Sequence, residues 1–195
     1  MELTRAIVVR GGGDIASGII HRLHRCSYRV LVLETEKPTA IRRTVSFSEA
    51  VYDLQTTVEN TCAVRIEDFD QCEAAWSKNQ VPVLIDPQGI CLSHFKPAAL
   101  IDAILAKKNY GTHKKMSNIT IALGPGFKAG TDVHAVIETA RGHDLGRIIL
   151  DGQASADSGI PGAVGGYTTE RVIYAARSGT LTVEKDIGSR IKSGE

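Results

Sequence analysis

Three consecutive glycines, Gly11–Gly13, stand between a short apolar run and an amphipathic segment, and this arrangement restricts the fold more than any other feature of the chain. Residues 5–10 are β-branched and apolar and end at glycine, which predicts a buried strand of the parallel type. Apolar residues recur at helical spacing over 15–23, and 29–33 predicts a second strand. A strand, a tight turn, a helix and a strand in this order predict a βαβ unit.

The remaining pattern predicts an α/β fold, with a Rossmann-like N-terminal unit and a mixed, more β-rich second half. Residues 81–85 and 119–123 predict strands, and 46–51 predicts a short helix with Ser46 as its cap. Lys96 and Pro97 predict the start of another helix, with a strand over 98–102 as the alternative. Residues 132–139 fit a strand or a helix. The predicted domains are 1–95, a nucleotide-binding unit, and 96–177, a second α/β region.

Composition excludes several function classes. The 195 residues are 43% hydrophobic and 23% charged, as in ordinary globular proteins. The formal net charge of +1 predicts neither nucleic acid nor a membrane surface as a partner. The apolar runs are short and the N-terminus has no signal-peptide pattern, so a cytoplasmic location is expected. The 4 cysteines form no C-x-x-C pair, and no metal site is predicted from them.

The glycine turn is the first candidate site. Gly11, Gly13 and Ala16 form a G-x-G-x-x-A pattern, and Glu34 stands at the end of the second predicted strand. Such a turn lets backbone and helix N-terminal amides approach a pyrophosphate, and the acid accepts from a ribose hydroxyl, which favours NAD over NADP. The predicted cofactor is therefore NAD or another nucleotide. Its predicted binding residues are Gly11, Gly12, Gly13, Asp14, Ile15, Ala16 and Glu34.

Two features leave that prediction open. Asp14 places negative charge beside the expected phosphate, or caps the helix instead of leaving its amides free. Arg42 follows the second strand and can meet a phosphate, or it is plain surface charge. The competing interpretation of the glycines is a tight βα turn that binds nothing.

A second glycine-rich region carries many ionisable groups. It follows a predicted strand, at the sheet edge where α/β proteins bind ligands. Arg141 suits anion binding, and His134 or His143 suits acid–base work. His134 and Glu138 can be two metal ligands, but no third is identified, so no metal site is predicted. The alternative is turn chemistry plus a surface strand. The candidates for substrate or partner contacts, with Arg42 included, are Arg42, Asp102, Gly124, Gly126, Phe127, His134, Glu138, Arg141 and His143.

Eight segments carry a family resemblance: Val9–Gly18, Ala40–Phe47, Glu49–Val51, Ile101–Lys107, Gly124–Phe127, Asp132–His134, Ile137–His143 and Leu145–Arg147. They resemble the selenium-dependent molybdenum hydroxylase accessory proteins, the YqeB family. The glycine turn is also similar to the NAD-binding domain of sirohaem synthases, and Asp102 to an aspartate of the Rossmann-type xanthine dehydrogenase accessory proteins. The main resemblance extends over most of the chain, because its segments are spread between residues 9 and 147.

This resemblance implies a role in maturing a molybdenum hydroxylase that carries a labile selenium. The implied partner is that hydroxylase or its cofactor, and a molybdopterin dinucleotide becomes a candidate ligand. A homodimer is also allowed for. The resemblance gives no catalytic residue and leaves open whether the chain is an enzyme. The alternative function is an NAD-dependent oxidoreductase of a small molecule, and a third is a scaffold without a ligand. Residues 178–195 resemble the start of an incomplete biotinyl/lipoyl-like half-barrel.

Overall fold

The structure is a computed structural model, and it describes residues 5–193. It confirms the α/β class with a large, mostly parallel sheet and few helices. The helices are α1 (Asp14–Arg25), α2 (Ala50–Asp53) and α3 (Cys72–Ser77). None of the helices in this part of the chain has the length and apolar character needed to cross a membrane.

Within residues 5–193, eleven strands make up two sheets. In chain order they are β1 (Ile7–Arg10), β2 (Val30–Glu34), β3 (Gln55–Val58), β4 (Thr61–Ile66), β5 (Val81–Ile85), β6 (Ala99–Asp102), β7 (Ile119–Leu123), β8 (Lys128–Ala129), β9 (Ala135–Ile137), β10 (Ile148–Ile149) and β11 (Gly152–Gln153). β8 and β11 pair with each other in a two-stranded sheet.

The nine-stranded sheet has the order β10-β9-β7-β6-β1-β2-β5-β4-β3. Its seven inner strands are parallel, and only β10 and β3 are antiparallel to their neighbours. The chain runs from β1 outward through β2 and later returns to the other side of β1 as β6. The strand order therefore reverses beside β1, and the carboxyl ends of β1, β2 and β6 meet at a topological switch point. Ligands of open α/β sheets bind at such points.

Alternating side chains on the central strand build a core on each face of the sheet. Val9 joins α1 through Ala16 and Ile20 in one cluster. Val8 points to the opposite cluster, which includes Leu31. Both faces of β1 are thus buried, which explains why its sequence is apolar without interruption until Arg10.

The helix predicted after Pro97 is wrong, and the alternative strand is right. Residues 99–102 form β6, which pairs with β1 on one side and β7 on the other. Leu100 is fully buried there. A strand buried on both faces is a continuous apolar run, and over so few residues that run also fits helical spacing. The helix alternative for 132–139 is likewise wrong, because its apolar core forms β9.

The cap predicted at Asp14 is wrong, and the cap predicted at Ser46 is right in position only. Asp14 is the first residue of α1, and Gly13 occupies the N-cap without a side-chain hydrogen bond. Ser46 occupies the predicted N-cap position of the turn that follows, but its side chain makes no capping hydrogen bond, and its hydroxyl donates to the Arg42 carbonyl at 2.8 Å. The predicted helix itself is present as a 3-10 turn, Phe47–Glu49, followed by α2.

The chain divides into two compact units, Met1–Asp157 and Ser158–Glu195. All eleven described strands lie in the first unit. Strands before and after residue 95 belong to the same sheet, because β6 pairs with β1. Over 158–193 the second unit has a 3-10 turn, Thr169–Arg171, and one isolated bridge between Val164 and Tyr167. The domain boundaries predicted at 95 and 177 stay predictions. So does the half-barrel start over 178–195, of which 194–195 lie outside the described residues.

Candidate functional site

The three glycines of the turn meet different surroundings. Gly11 has a φ of +94°, and a Cβ there would lie 3.0 Å from the Ala103 carbonyl oxygen. A Cβ on Gly12 would lie 3.0 Å from the Ser48 backbone nitrogen. Gly13 has an ordinary φ of −65°, and a Cβ there would meet no atom within 4 Å beyond its own chain neighbours. The first two glycines are therefore required by protein contacts, whereas Gly13 borders open space.

Glu34 stabilises the glycine turn through backbone hydrogen bonds. Its Oε2 accepts from the Gly12 N–H at 2.7 Å, and its Oε1 accepts from the Thr35 N–H at 2.7 Å. Burial raises the pKa of Glu34, and the hydrogen bonds from Thr35 and Gly12 oppose that rise. The amide that a pyrophosphate would approach at Gly12 is thus already occupied by a carboxylate of this chain.

Asp14 and Arg42 form an ion pair at the start of α1. Asp14 also accepts from the Ile15 N–H through Oδ1 at 2.9 Å. Arg42 is exposed, so it reaches the helix N-terminus from the solvent side. The pair offsets the negative charge of Asp14 and brings a guanidinium to the place where an anion would bind.

Two cavities lie where the carboxyl ends of β1, β2 and β6 meet. The larger has a volume of about 530 Å³ and the smaller about 270 Å³, and they share Gly11, Glu34 and Ile104 among other residues. The larger is lined by Arg10, Gly11, Leu33, Glu34, Thr35, Thr39, Pro87, Gln88, Ile104, Ala106 and Tyr110. The smaller is lined by Gly11, Gly13, Asp14, Ile15, Ala16, Glu34, Thr35, Pro38, Thr39, Ala40, Ser48, Ala103, Ile104 and Leu105.

A buried charge network supports the larger cavity. Arg10 and Asp102 are each 1% exposed, and their nearest charged atoms are 3.8 Å apart. Thr112 donates to Asp102 at 2.6 Å and accepts from Arg10. Burial raises the pKa of Asp102, against the hydrogen bond from Thr112, the Arg10 charge and the Ile104 N–H. The same guanidinium donates to the Pro87 carbonyl at 2.7 Å, which fixes one cavity wall.

The sequence prediction missed three of these residues. Arg10 was detectable, because a cation at the end of a buried strand needs an anionic partner, and Asp102 stands opposite it in register. Thr112 gave no local signal. Ser48 is fully buried, lines the smaller cavity, and its hydroxyl has no hydrogen-bond partner among the described residues.

No residue of the second glycine-rich region, 124–143, lines either cavity, and its glycines make structural contacts. A Cβ on Gly124 would lie 2.6 Å from the Thr139 hydroxyl, and one on Gly126 would lie 2.6 Å from the Lys108 backbone. Phe127 packs in a small buried cluster. These residues hold neighbouring loops together.

The ionisable residues of that region have their own hydrogen-bond partners or are exposed, and none of them lines either cavity. Glu138 is 4% exposed and accepts from the N–H groups of Thr139, Ala140 and Ser155, each at 2.7 Å. His134 accepts from the Thr120 N–H through Nδ1 at 3.0 Å. The remaining two candidates, Arg141 and His143, are exposed.

The residues that line the two cavities limit the chemistry that the site supports. No histidine lines either cavity, so the residues present give no support to an NAD-dependent oxidoreductase with a histidine acid–base group. Residues 5–193 contain no group of three or more histidine, cysteine or carboxylate side chains placed to hold a metal ion.

Comparison with known proteins identifies a relative. Over 189 residues, 97% of this chain, it is 46% identical to a protein of Escherichia coli (strain K12) named "Uncharacterized protein YqeB". The chain is similar to YqeB. It spans 35% of the length of that relative, whose name states no activity or ligand. No family model matches the chain. No solved structure matches it either.

Proposed function

We propose that this chain belongs to the YqeB family and binds a nucleotide or a pterin dinucleotide at the Gly11–Ala16 turn. In this proposal it serves as an accessory protein in the maturation of selenium-dependent molybdenum hydroxylases. The observation that carries the binding role is the cleft at the switch point beside β1, where the glycine turn, Glu34 and the start of α1 border the same space.

The dimensions and donors of the cleft suit such a ligand. A cavity of about 530 Å³ is in the range of small-molecule sites. Glu34 has lone pairs left to accept from a ribose hydroxyl. Tyr110 lines the larger cavity, and the Lys108 Nζ lies 4.7 Å from the centre of its ring, so a base is proposed to stack on the opposite ring face. The unpaired amides at the start of α1 suit a phosphate. In this proposal the base, the ribose and the phosphate of one nucleotide unit each have a protein partner.

The accessory role rests on similarity. The chain is similar to YqeB over nearly its whole length, and its motif segments resemble the hydroxylase accessory family. A pterin dinucleotide carries the pyrophosphate for which the turn is suited. The proposed partner is accordingly a molybdenum hydroxylase or its cofactor.

A calorimetric titration tests this proposal. The wild-type protein and Glu34→Ala are titrated with NAD, NADP, ATP, CTP and a molybdopterin dinucleotide. The matched control is Glu67→Ala, which replaces an exposed glutamate that lines neither cavity. We expect selective binding of the pterin dinucleotide, weakened in Glu34→Ala and unchanged in the control. Binding of NAD alone would favour the oxidoreductase, and binding of none would contradict the proposal. Deletion of the gene is expected to lower hydroxylase activity.

A further inference from the structure

The Ser48 hydroxyl stands out because nothing in the described chain satisfies it. Ser48 is fully buried, and its Oγ has no hydrogen-bond partner. Its backbone is firmly held, since its N–H donates to the Gly12 carbonyl at 2.8 Å. The preceding Phe47 N–H donates to the Ser17 hydroxyl at 2.8 Å. A buried, unpaired hydroxyl at a rigidly held position is unfavourable by itself and calls for a partner.

Ser48 lies among other unpaired donors. It lines the smaller cavity together with Gly13, Asp14 and Ala16. The N–H groups of these three residues have no acceptor within residues 5–193, whereas the N–H of Gly12 is taken by Glu34 and that of Ile15 by Asp14. One cavity is therefore bordered by four donors without partners.

Donors of this number and kind suit an oxyanion with several acceptor atoms. The N-terminal end of α1 adds its dipole, and Arg42 stands beside it on Asp14. The cavity, at about 270 Å³, exceeds the space of a single water several-fold. Glu34 also borders it, but both its oxygens already accept backbone N–H groups, which disperse its charge.

We propose that Ser48 is a ligand-binding residue whose hydroxyl, with the N–H groups of Gly13, Asp14 and Ala16, binds one phosphate of a diphosphate group. This assignment rests on the proposed nucleotide-binding function and specifies its phosphate subsite. When the phosphate binds, Arg42 leaves its ion pair with Asp14 and donates to the phosphate. The diphosphate can belong to a nucleotide or be free pyrophosphate, and the two sources are distinguished below.

The test compares Ser48→Ala with Ser117→Ala. Ser117 is also buried, but its hydroxyl donates to the Ile119 carbonyl and does not line the cavity. Each protein is titrated at low salt with inorganic pyrophosphate, ADP and adenosine. We expect Ser48→Ala to bind pyrophosphate and ADP about tenfold more weakly, with adenosine unaffected. Ser117→Ala is expected to bind all three as the wild type does. Tighter binding of ADP than of pyrophosphate indicates a nucleotide source.

Thermal stability provides a second readout, because loss of a residue with a purely structural role lowers the Tm of the unliganded protein. Removing an unsatisfied buried hydroxyl is expected to leave the Tm of unliganded Ser48→Ala equal to or above that of the wild type. Ser117→Ala loses a satisfied hydrogen bond, so its Tm is expected to fall. A lowered Tm in Ser48→Ala together with unchanged affinity would overturn the assignment.

The outcomes separate this subsite from the wider function. If the wild type binds neither pyrophosphate nor ADP, the subsite is wrong. If a pterin dinucleotide binds the wild type and Ser48→Ala equally, the subsite is wrong while the proposed function stands. If pyrophosphate binding depends on Ser48 but no dinucleotide binds, the subsite stands and the proposed function fails.

Discussion

The three glycines of the turn differ in whether protein contacts require the absence of a side chain or the space beside them is open to a ligand. Gly11 and Gly12 are enclosed by backbone atoms of Ala103 and Ser48. Gly13 meets nothing within 4 Å. The same sequence pattern thus contains two glycines that folding needs and one whose surroundings are open.

Alanine at Gly12 is expected to lower stability, whereas alanine at Gly13 is expected to weaken ligand binding. Gly12→Ala brings its Cβ to 3.0 Å from the Ser48 nitrogen, a backbone atom that cannot yield without disturbing the turn. We expect it to lose about 1–3 kcal/mol in free energy of unfolding. Gly13→Ala is expected to change that free energy by less than about 0.5 kcal/mol and to weaken nucleotide binding. Urea denaturation measures both changes in stability, and equal losses would contradict the different roles of the two glycines.

Glu138 is a second residue with a definite expected effect. Burial acts to raise its pKa, but hydrogen bonds from Ser155, Ala140 and Thr139 lower it from 4.5 to about 2. A carboxyl whose folded pKa lies below its unfolded value stabilises the protein above the unfolded value, and that stability is lost as pH falls from 4.5 towards 2. We expect Glu138→Gln to cost about 1–3 kcal/mol at neutral pH.

The pH profile of unfolding checks this account of Glu138. The difference in free energy of unfolding between wild type and Glu138→Gln is expected to shrink as the pH falls through that window. Glu34 has a raised pKa and gives the opposite trend, but it is common to both proteins and cancels in the difference. A difference that stays constant down to pH 2 would show that the ionised form of Glu138 is not what stabilises the fold.

At the scale of elements, the sequence predicted what is local and missed what is long-range. The unit β1, turn, α1 and β2 was predictable because its apolar spacing and its glycines are adjacent in the chain. β6 was not, because its short apolar run fits two periodicities and only pairing with β1 and β7 decides between them. The same holds for the site. The turn was found as a motif. The pairing of Arg10 with Asp102 and the place of Ser48 at the smaller cavity depend on segments that only the folded sheet brings together.

The link between the ends of β1 and β6 is expected to behave as one energetic unit. Arg10→Met leaves the Asp102 carboxylate buried without its cation, which is expected to cost about 3–5 kcal/mol. Adding Asp102→Asn removes that uncompensated charge, so the double variant is expected to regain part of the loss. A double-mutant cycle by urea denaturation measures the coupling. Strictly additive effects would show that the two groups do not interact.

For the whole molecule, the core belongs to one of the two compact units. The buried residues of all three apolar clusters lie within Met1–Asp157. Over 158–193 the second unit exposes much of its large apolar surface. Its exposed large apolar residues are Ile160, Val164, Tyr167, Ile173, Tyr174, Leu181, Val183, Ile187 and Ile191. The cooperative unfolding of the chain is therefore expected to be a property of the first unit.

Deletion of residues 158–195 tests that expectation. The shortened chain keeps every strand, and it keeps the hydrogen bond from Ser155 to Glu138. We expect its Tm and the urea dependence of its unfolding to match those of the full chain, because both follow from the surface buried in the sheet and its clusters. Ending the chain at residue 151 instead removes β11 and the Ser155 donor, so that variant is expected to be less stable. Loss of cooperative unfolding in the longer fragment would mean that the second unit contributes to the core.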